Sequence, residues 1–481
     1  MSRGRLVVHG HFYQPSRVDP FSGTVPADPS AAPARDWNSR VSEECYRPNA
    51  ERGNLGHMSW DLGPTLADWL VDGDPLAYRA FVAGDRGING IAQPFHHAIL
   101  PLASAADRRT EIRWGMRDFE VRFGRPATGM WLPETAVDLP TLRMLAEAGI
   151  RSTILAPWQV SEPYVETRRP YRVELGDGRD ILVALYDADL SAAISFEPHA
   201  TSDADRFARE GLEPRLASGT LPDDEPPLVE IATDGELYGH HLPFRELFLE
   251  RLVQPLTDGA ARGYEVVSLE AALDEPPGRP FRTIRIAERT SWSCHHGVLR
   301  WGADCACASD GSWKWPLRAA LERLAAGIDT VTATRFSGLP GSPDPWAARD
   351  AYVDVVLGLE TADAFARRWL SGARSGRRSR APAASDVATL LALMAAQRWR
   401  LAMFSSDGWY WDDPMRPETA AVLRAAARAV RIVDGLADAG LERRLVADLE
   451  LFSSPGHRID GATIYGRALA AVGQPGIEEP A

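Results

Sequence analysis

Four short segments gather the residue types that do chemistry. They are His9-Gly10-His11-Phe12-Tyr13-Gln14-Pro15, then Gln93 with His96 and His97, then Trp131-Leu132-Pro133-Glu134-Thr135, and last Thr233-Asp234-Gly235-Glu236-Leu237-Tyr238-Gly239-His240-His241. Each follows a short apolar, β-branched run, so each stands at the end of an expected strand. A carboxylate there is partly desolvated by its neighbours, which is costly unless the group is used. Two carboxylates on different strands suit glycoside hydrolysis. One acts at the anomeric carbon; the other, kept protonated by burial and a nearby negative charge, supplies a proton. Glu134 and Asp234 fit that pair, with Glu236 as the competitor to Asp234. Glu134 follows Pro133, whose fixed φ gives the loop a rigid start. A salt-bridged glutamate or a satisfied core histidine explains any one segment; four at four strand ends favour a site.

Sugar rings carry apolar faces that stack on indoles and hydroxyls that need fixed polar partners. The chain has 15 tryptophans. Core packing is the default role of each, but those beside polar signatures are sugar platforms in waiting. Trp131 is one. Trp292, His296, Arg300, Trp301 and Asp304 form a second set within Thr290–Trp315, and Asp407 with Trp409 a third within Ser405–Asp413. For Trp411 and Asp413, a packed junction with a capping aspartate is an equal reading.

The four cysteines are Cys45, Cys294, Cys305 and Cys307. C-x10-C-x-C beside His295 and His296 is not a standard zinc spacing. Metal ligands, a redox pair and inert buried thiols all stay open, with inert thiols preferred; no metal or cofactor is expected in the chemistry. A metal-dependent deacetylase-like or mannosidase-like barrel is the second functional reading, with His9, His11, Asp234 and His240 as ligands. Its weakness is an HxH strand without a nearby aspartate. A non-catalytic glucan-binding barrel is the third.

These segments need a scaffold that brings strand ends together. Expected strands are Arg5–His9, Gly87–Ala92, Thr128–Leu132, Thr153–Leu155, Asp180–Leu185, Leu228–Ile231 and Tyr264–Ser268, with helices between several of them, such as Ala106–Phe123, Leu139–Ala148 and Pro243–Leu256. Strand–helix alternation implies a parallel sheet, and seven strands over about 270 residues suit a closed barrel. Pro276, Pro277 and Pro280 mark a break, after which helices dominate. The expected division is therefore a barrel over 1–275, a helical domain over 276–472 and a frayed tail over 473–481. Within the helical part, 372–384 is Arg/Ser/Pro-rich and reads as an exposed loop.

Net charge is −13 and the sequence pI is about 5.4, which argues against nucleic acid or an anionic membrane surface as partner and leaves a neutral polymer acceptable. The start of the chain lacks a long apolar run, and no stretch reaches the length of a membrane span, so a cytoplasmic protein is expected. Lys314 is the only lysine; with the many alanines this points to a GC-rich bacterial genome.

The HxHFYQP, WLPE and TDGELYGHH segments resemble the signature stretches of glycoside hydrolase family 57. Trp37–Asn49, Leu62–Leu70, Asn89–Leu102, Gly129–Asp138, Thr290–Cys307 and Ser405–Asp413 are similar to the branch that carries the domain of unknown function 3536. The resemblance implies a (β/α)7 barrel followed by a helical domain that completes the active site. It implies retaining chemistry on α-glucan, as in amylases, 4-α-glucanotransferases and branching enzymes. On the matching positions it makes Glu134 the nucleophile and Asp234 the acid/base. His11, Gln14 and Pro15 match the family's first motif, while Gln93 and His97 fall near a second that departs from the amylolytic form. Glu236 and His240 join the substrate-binding set.

Overall fold

The computed structural model describes residues 4–217, 221, 226–256, 262–274, 280–371 and 382–470. The chain divides into two compact units. One comprises residues 1–14, 28–95 and 119–297; the other comprises 15–27, 96–118 and 298–481. The division after the barrel thus falls at 297/298, not at 275/276. The proline cluster interrupts the composition there, but the chain returns to the first unit: Arg282–Thr283 pairs with a strand, and Thr290 and Ile286 bridge to Val137 and Val160. Residues 15–27 and 96–118 leave the first unit for the second, excursions that composition does not mark. Of the expected loop and tail, 372–381 and 471–481 lie outside the described residues.

The first unit is built on strands β1 (Gly4–Phe12), β2 (Ser59–Leu62), β3 (Gly90–Ile91), β4 (Ser152–Leu155), β5 (Tyr171–Glu174), β6 (Asp180–Leu185), β7 (Leu228–Asp234), β8 (Tyr264–Val266) and β9 (Arg282–Thr283). β1 is central, parallel to β2, β7 and β8. β2 continues to β3, and β4 pairs in parallel with β6. Single parallel bridges, Ala92 to Met130 and Gly129 to Ser152, join the two sheets, so the expected strand Thr128–Leu132 survives only as bridges. On the far side the amide of Asp187, just past β6, donates to the carbonyl of Glu230 in β7 at 2.7 Å. β2 and the antiparallel β5 were not expected.

Period-two alternation sorts the side chains of β1 and β7. Leu6, Val8, Val229 and Ile231 pack into one cluster with Trp60, Phe81 and Phe248. Val7, Leu228 and Ala232 point the other way, into a cluster with Trp131, Ile154 and Ala184. His9 and His11 share the face of Val7, and Glu230 and Asp234 that of Leu228. Strand pleating therefore aims both histidines and Asp234 at the inner face before any specific bond forms.

The second unit is helical. Its longest elements are Lys314–Ser337, Ala384–Ala402 and Pro417–Ala437. Leu321, Leu390, Leu393, Met394, Leu423 and Val430 are fully buried among them, at the helical spacing that builds such a core. Among the described residues, no helix is long and apolar enough to cross a membrane.

Candidate active site

Asp61, at the C-terminal end of β2, collects the first two segments. Its carboxylate, fully buried, meets His9 Nε2 at 3.0 Å, His11 Nδ1 at 2.8 Å and Gln93 Nε2 at 2.7 Å. The register pairs His11 with Asp61 on one side and with Asp234 on the other, so β1 sits between two acids. Burial lowers the affinity of His11 for a proton, but Asp61, Asp234 and Glu236 outweigh it and raise its pKa to about 9. His11 is accordingly an imidazolium at neutral pH. His9 lacks that surplus: burial dominates and lowers it despite Asp61.

Trp131 lies under both imidazoles, with ring centroids 5.2 Å from His9 and 4.9 Å from His11. Its edge meets Trp292 at 4.9 Å, and Trp292 stands 6.4 Å from Tyr186, which in turn meets Trp158 at 6.0 Å. Trp131 is fully buried, so it supports the histidines and is not an open platform; Trp292 and Trp158 are accessible.

Glu134 occupies a left-handed turn, with φ 58° and ψ 21°, and Thr135 follows at φ 48°. Two consecutive non-glycine residues in that region are strained. Gln159 holds the turn: it accepts from Thr135 Oγ1 at 2.8 Å and donates to the Thr135 carbonyl at 2.8 Å. One oxygen of the half-buried Glu134 carboxylate accepts from Trp292 Nε1 at 3.1 Å and Ser293 Oγ at 2.6 Å.

Asp234 ends β7. It keeps solvent exposure, yet protein atoms crowd around its carboxyl. That crowding raises its pKa, and the negative charges of Glu134 and Asp61 add to the rise while His11 and His241 oppose it. Glu236 is buried and accepts a 2.5 Å hydrogen bond from the Tyr46 hydroxyl; burial brings its pKa up to about 7. The turn between them is held from behind. Cys45 Sγ donates to the carbonyl of Gly235, and Asn49 Nδ2 donates to that of Tyr238 at 2.8 Å. Gln14 hydrogen-bonds Tyr46, and His240 Nδ1 meets Glu44 at 2.5 Å. Cys45 thus serves as a wedge behind the acid turn.

The imidazoles proposed as metal ligands are spent otherwise: His9 and His11 on Asp61, His240 on Glu44. Among the described residues, the strand-end histidines and carboxylates form no group with metal-ligating geometry. None of the four cysteines forms a disulfide among the described residues; Cys294 Sγ lies 4.0 Å from Nδ1 of the exposed His296.

The remaining candidates belong to the helical unit. His97, at φ 56°, meets Ser406 Oγ at 2.7 Å, and Asp407 accepts from Ser405 Oγ at 2.9 Å. Arg300 lies on the ring of Tyr410 at 4.2 Å, and Asp304 accepts from the Gly311 amide. Trp301 and Trp409 are completely buried, and Trp409 packs against both Phe404 and Arg318. Both are therefore core packing and not sugar platforms. Helical spacing alone does not tell a covered indole from an open one.

Three comparisons bear on this geometry. Residues 84–282 match glycosyl hydrolase family 57, and residues 310–473 match a domain of unknown function, DUF3536. A search of curated proteins by sequence finds no match. Among solved structures, an exo-type maltose-forming amylase from Pyrococcus sp. ST04 superposes with a TM-score of 0.71 at 16% identity, covering 98% of this chain and 92% of the amylase. A family 57 branching enzyme from Thermococcus kodakaraensis gives 0.59 at 16% identity, over 92% and 94% of the two chains. The α-amylase AmyC from Thermotoga maritima gives 0.57 at 13%, over 99% and 100%. The two matched segments are the family and the domain that the motifs resemble, and the superpositions give the fold: a (β/α) barrel followed by helices.

Proposed function

We propose that this chain, built of a family 57 glycosyl hydrolase segment and the DUF3536 domain, is a retaining glycoside hydrolase or transglycosylase acting on α-linked glucan. One observation carries the reading. Two carboxylates share the strand ends in opposite settings: Glu134 accepts hydrogen bonds from Trp292 and Ser293, while crowding and the charge of Glu134 raise the pKa of Asp234. Acid and nucleophile are separated in this way by environment in retaining enzymes. In the proposed reaction an oxygen of Glu134 attacks the anomeric carbon as Asp234 protonates the departing glycosidic oxygen. Asp234, now a base, then takes a proton from water or from a sugar hydroxyl that attacks the glycosyl-enzyme.

Imidazolium His11 lies beside Asp234 across the β1–β7 register, placed to bind sugar hydroxyls and to limit the build-up of negative charge. Trp292 and Trp158 offer accessible indoles for the apolar faces of the sugar. The amylase and branching enzyme above act in their names on glucans; that class carries over here as part of the proposal. A neutral polymer fits a chain of net charge −13, and a bacterial cytoplasmic setting is the proposed context.

The test is incubation with maltooligosaccharides of several lengths, resolving product length and anomer. Products that first appear as the α-anomer, either shortened or redistributed in length, are expected. First-formed β-anomers would overturn retention, and no turnover across the series would overturn the substrate class.

A further inference from the structure

We propose that the helical unit contains a binding site for a small monocarboxylate with an apolar body. The site is a cavity of about 350 Å³, within the range of roughly 300–1,000 Å³ that small-molecule sites occupy. Its walls come from the segment Ala98–Glu111, from one face of helix Lys314–Ser337 and from the end of helix Ala384–Ala402. None of the residues placed at the strand-end acids lines it, and the inference does not depend on the glucan reading.

Most charged groups of its walls are engaged, although Nε of Arg400 has no hydrogen-bond partner among the described residues. Asp107 meets Arg349 at 2.8 Å and Arg400 at 2.7 Å. Asp329 meets Arg400 at 2.7 Å and accepts from Gln397 at 2.9 Å. The oxygens of Glu111 accept from the amide and from Nδ1 of His96, each at 2.8 Å. Arg318 is different. It is 5% exposed, and its Nε donates to the carbonyl of Trp301 at 2.9 Å. Among the described residues, neither of its terminal nitrogens has a hydrogen-bond partner, and its guanidinium lines the cavity. Its guanidinium carbon lies 4.7 Å from the ring centroid of Trp409 and 5.8 Å from that of Phe404, contacts that with the Nε bond fix its direction.

The free fork specifies the ligand. Arg349 and Arg400 are held by Asp107 and Asp329, and Glu111 is bonded to His96. Among the described residues Arg318 makes no ion pair at contact distance and feels Glu322 only through its field. Burial pulls its pKa down to about 10, which records the desolvation an anionic partner would offset; it stays charged at neutral pH. The planar fork of two donors matches a carboxylate. The other walls are Ile99, Leu102, Leu401, Phe404 and alanines with the hydroxyl of Ser104, a mainly apolar lining that suits an apolar body better than a polyol. Glu322, exposed at the rim, disfavours a dianion such as phosphate.

Titration calorimetry on the full chain tests this with benzoate, benzyl alcohol, inorganic phosphate and maltose. One benzoate is expected per chain, with benzyl alcohol and phosphate at least tenfold weaker and maltose unable to displace it. Arg318→Gln should weaken benzoate at least tenfold. Because Arg318 also packs against Trp409, a second variant, Ala326→Trp at the accessible rim, fills the cavity without touching the charge and should abolish binding. Equal affinity for benzoate and benzyl alcohol, displacement by maltose, no binding at millimolar benzoate, or unchanged benzoate binding in Ala326→Trp would each overturn the proposal.

Discussion

In the helical unit the carboxylates of buried Asp107 and partly buried Asp329 each touch a guanidinium at 2.8 Å or less. At the strand ends of the barrel unit, Asp61 and Glu236 meet only imidazole, amide and phenol donors, and the neighbours that set the state of Asp234 are two histidines and two other acids. The contrast separates two uses of buried charge. An arginine cannot give up its proton, so an aspartate paired with it stays ionised and its role is architectural. An acid without a permanently charged partner is open to a raised pKa, as burial raises that of Glu236 to about 7 and that of Asp234 above its usual range. The same residue type thus reports structure in one unit and, on the proposed reading, chemistry in the other.

The sharpest way to break the comparison is Glu134→Gln. It preserves the shape and cannot attack, so turnover of glucan should fall by roughly several hundredfold or more while binding is retained. Near-normal turnover would remove the nucleophile from the mouth. Next comes Asp234→Ala, assayed with an aryl glycoside whose leaving group needs little protonation. Azide should restore turnover in this variant and not in Glu236→Ala; rescue of the second alone would transfer the acid role to Glu236. In the unaltered protein the acid must be protonated, so turnover of natural glucan should decline as pH rises through the elevated pKa of Asp234.

The architectural side is tested by Arg349→Met. It strips one cation from Asp107, leaving Arg400, and should lower unfolding stability in urea by about 3 kcal/mol with kcat unchanged. A loss of turnover without a loss of stability would show that the two uses of charge are not separable. The smallest effect concerns Glu230, which is buried with both oxygens unbonded and its pKa pushed up by burial to about 8. In the unfolded chain this group ionises near 4.5, so between about pH 4.5 and 8 the folded state holds a proton the unfolded state has lost. Stability therefore falls as pH rises across that window. Glu230→Gln should remove up to about 2 kcal/mol of that decline between pH 5 and 7, as measured by denaturation at several pH values.

Much of this was legible from residue order. The motif segments were recognisable because polar residues at the ends of β-branched runs break the local pattern, and pleating then fixes which of them face inward. Asp61 was missed because Ser59–Leu62 is too short and too mixed to read as a strand. Yet it is the aspartate whose absence from the HxH strand weighed against a metal site, and it arrives from the neighbouring strand instead. Gln159, Trp158 and Tyr186 carry no sequence signal, since their roles come from contacts across more than twenty residues. Trp301 and Trp409 failed the other way: polar neighbours in sequence suggested a sugar surface, and packing hid both rings.

The turn at Glu134 has a consequence for inheritance. Both it and Thr135 hold a backbone conformation that costs of order 1–3 kcal/mol for each side-chain-bearing residue and little for glycine. Glycine at position 134 would relax the chain while ending the proposed chemistry, so thermal endurance and catalysis pull this codon in opposite directions. Were turnover no longer selected, drift would favour the relaxed residue, and a more durable but silent descendant would be a single substitution away. Glutamate on so unwelcoming a backbone is the residue that the proposed reaction needs and that the fold alone would not choose.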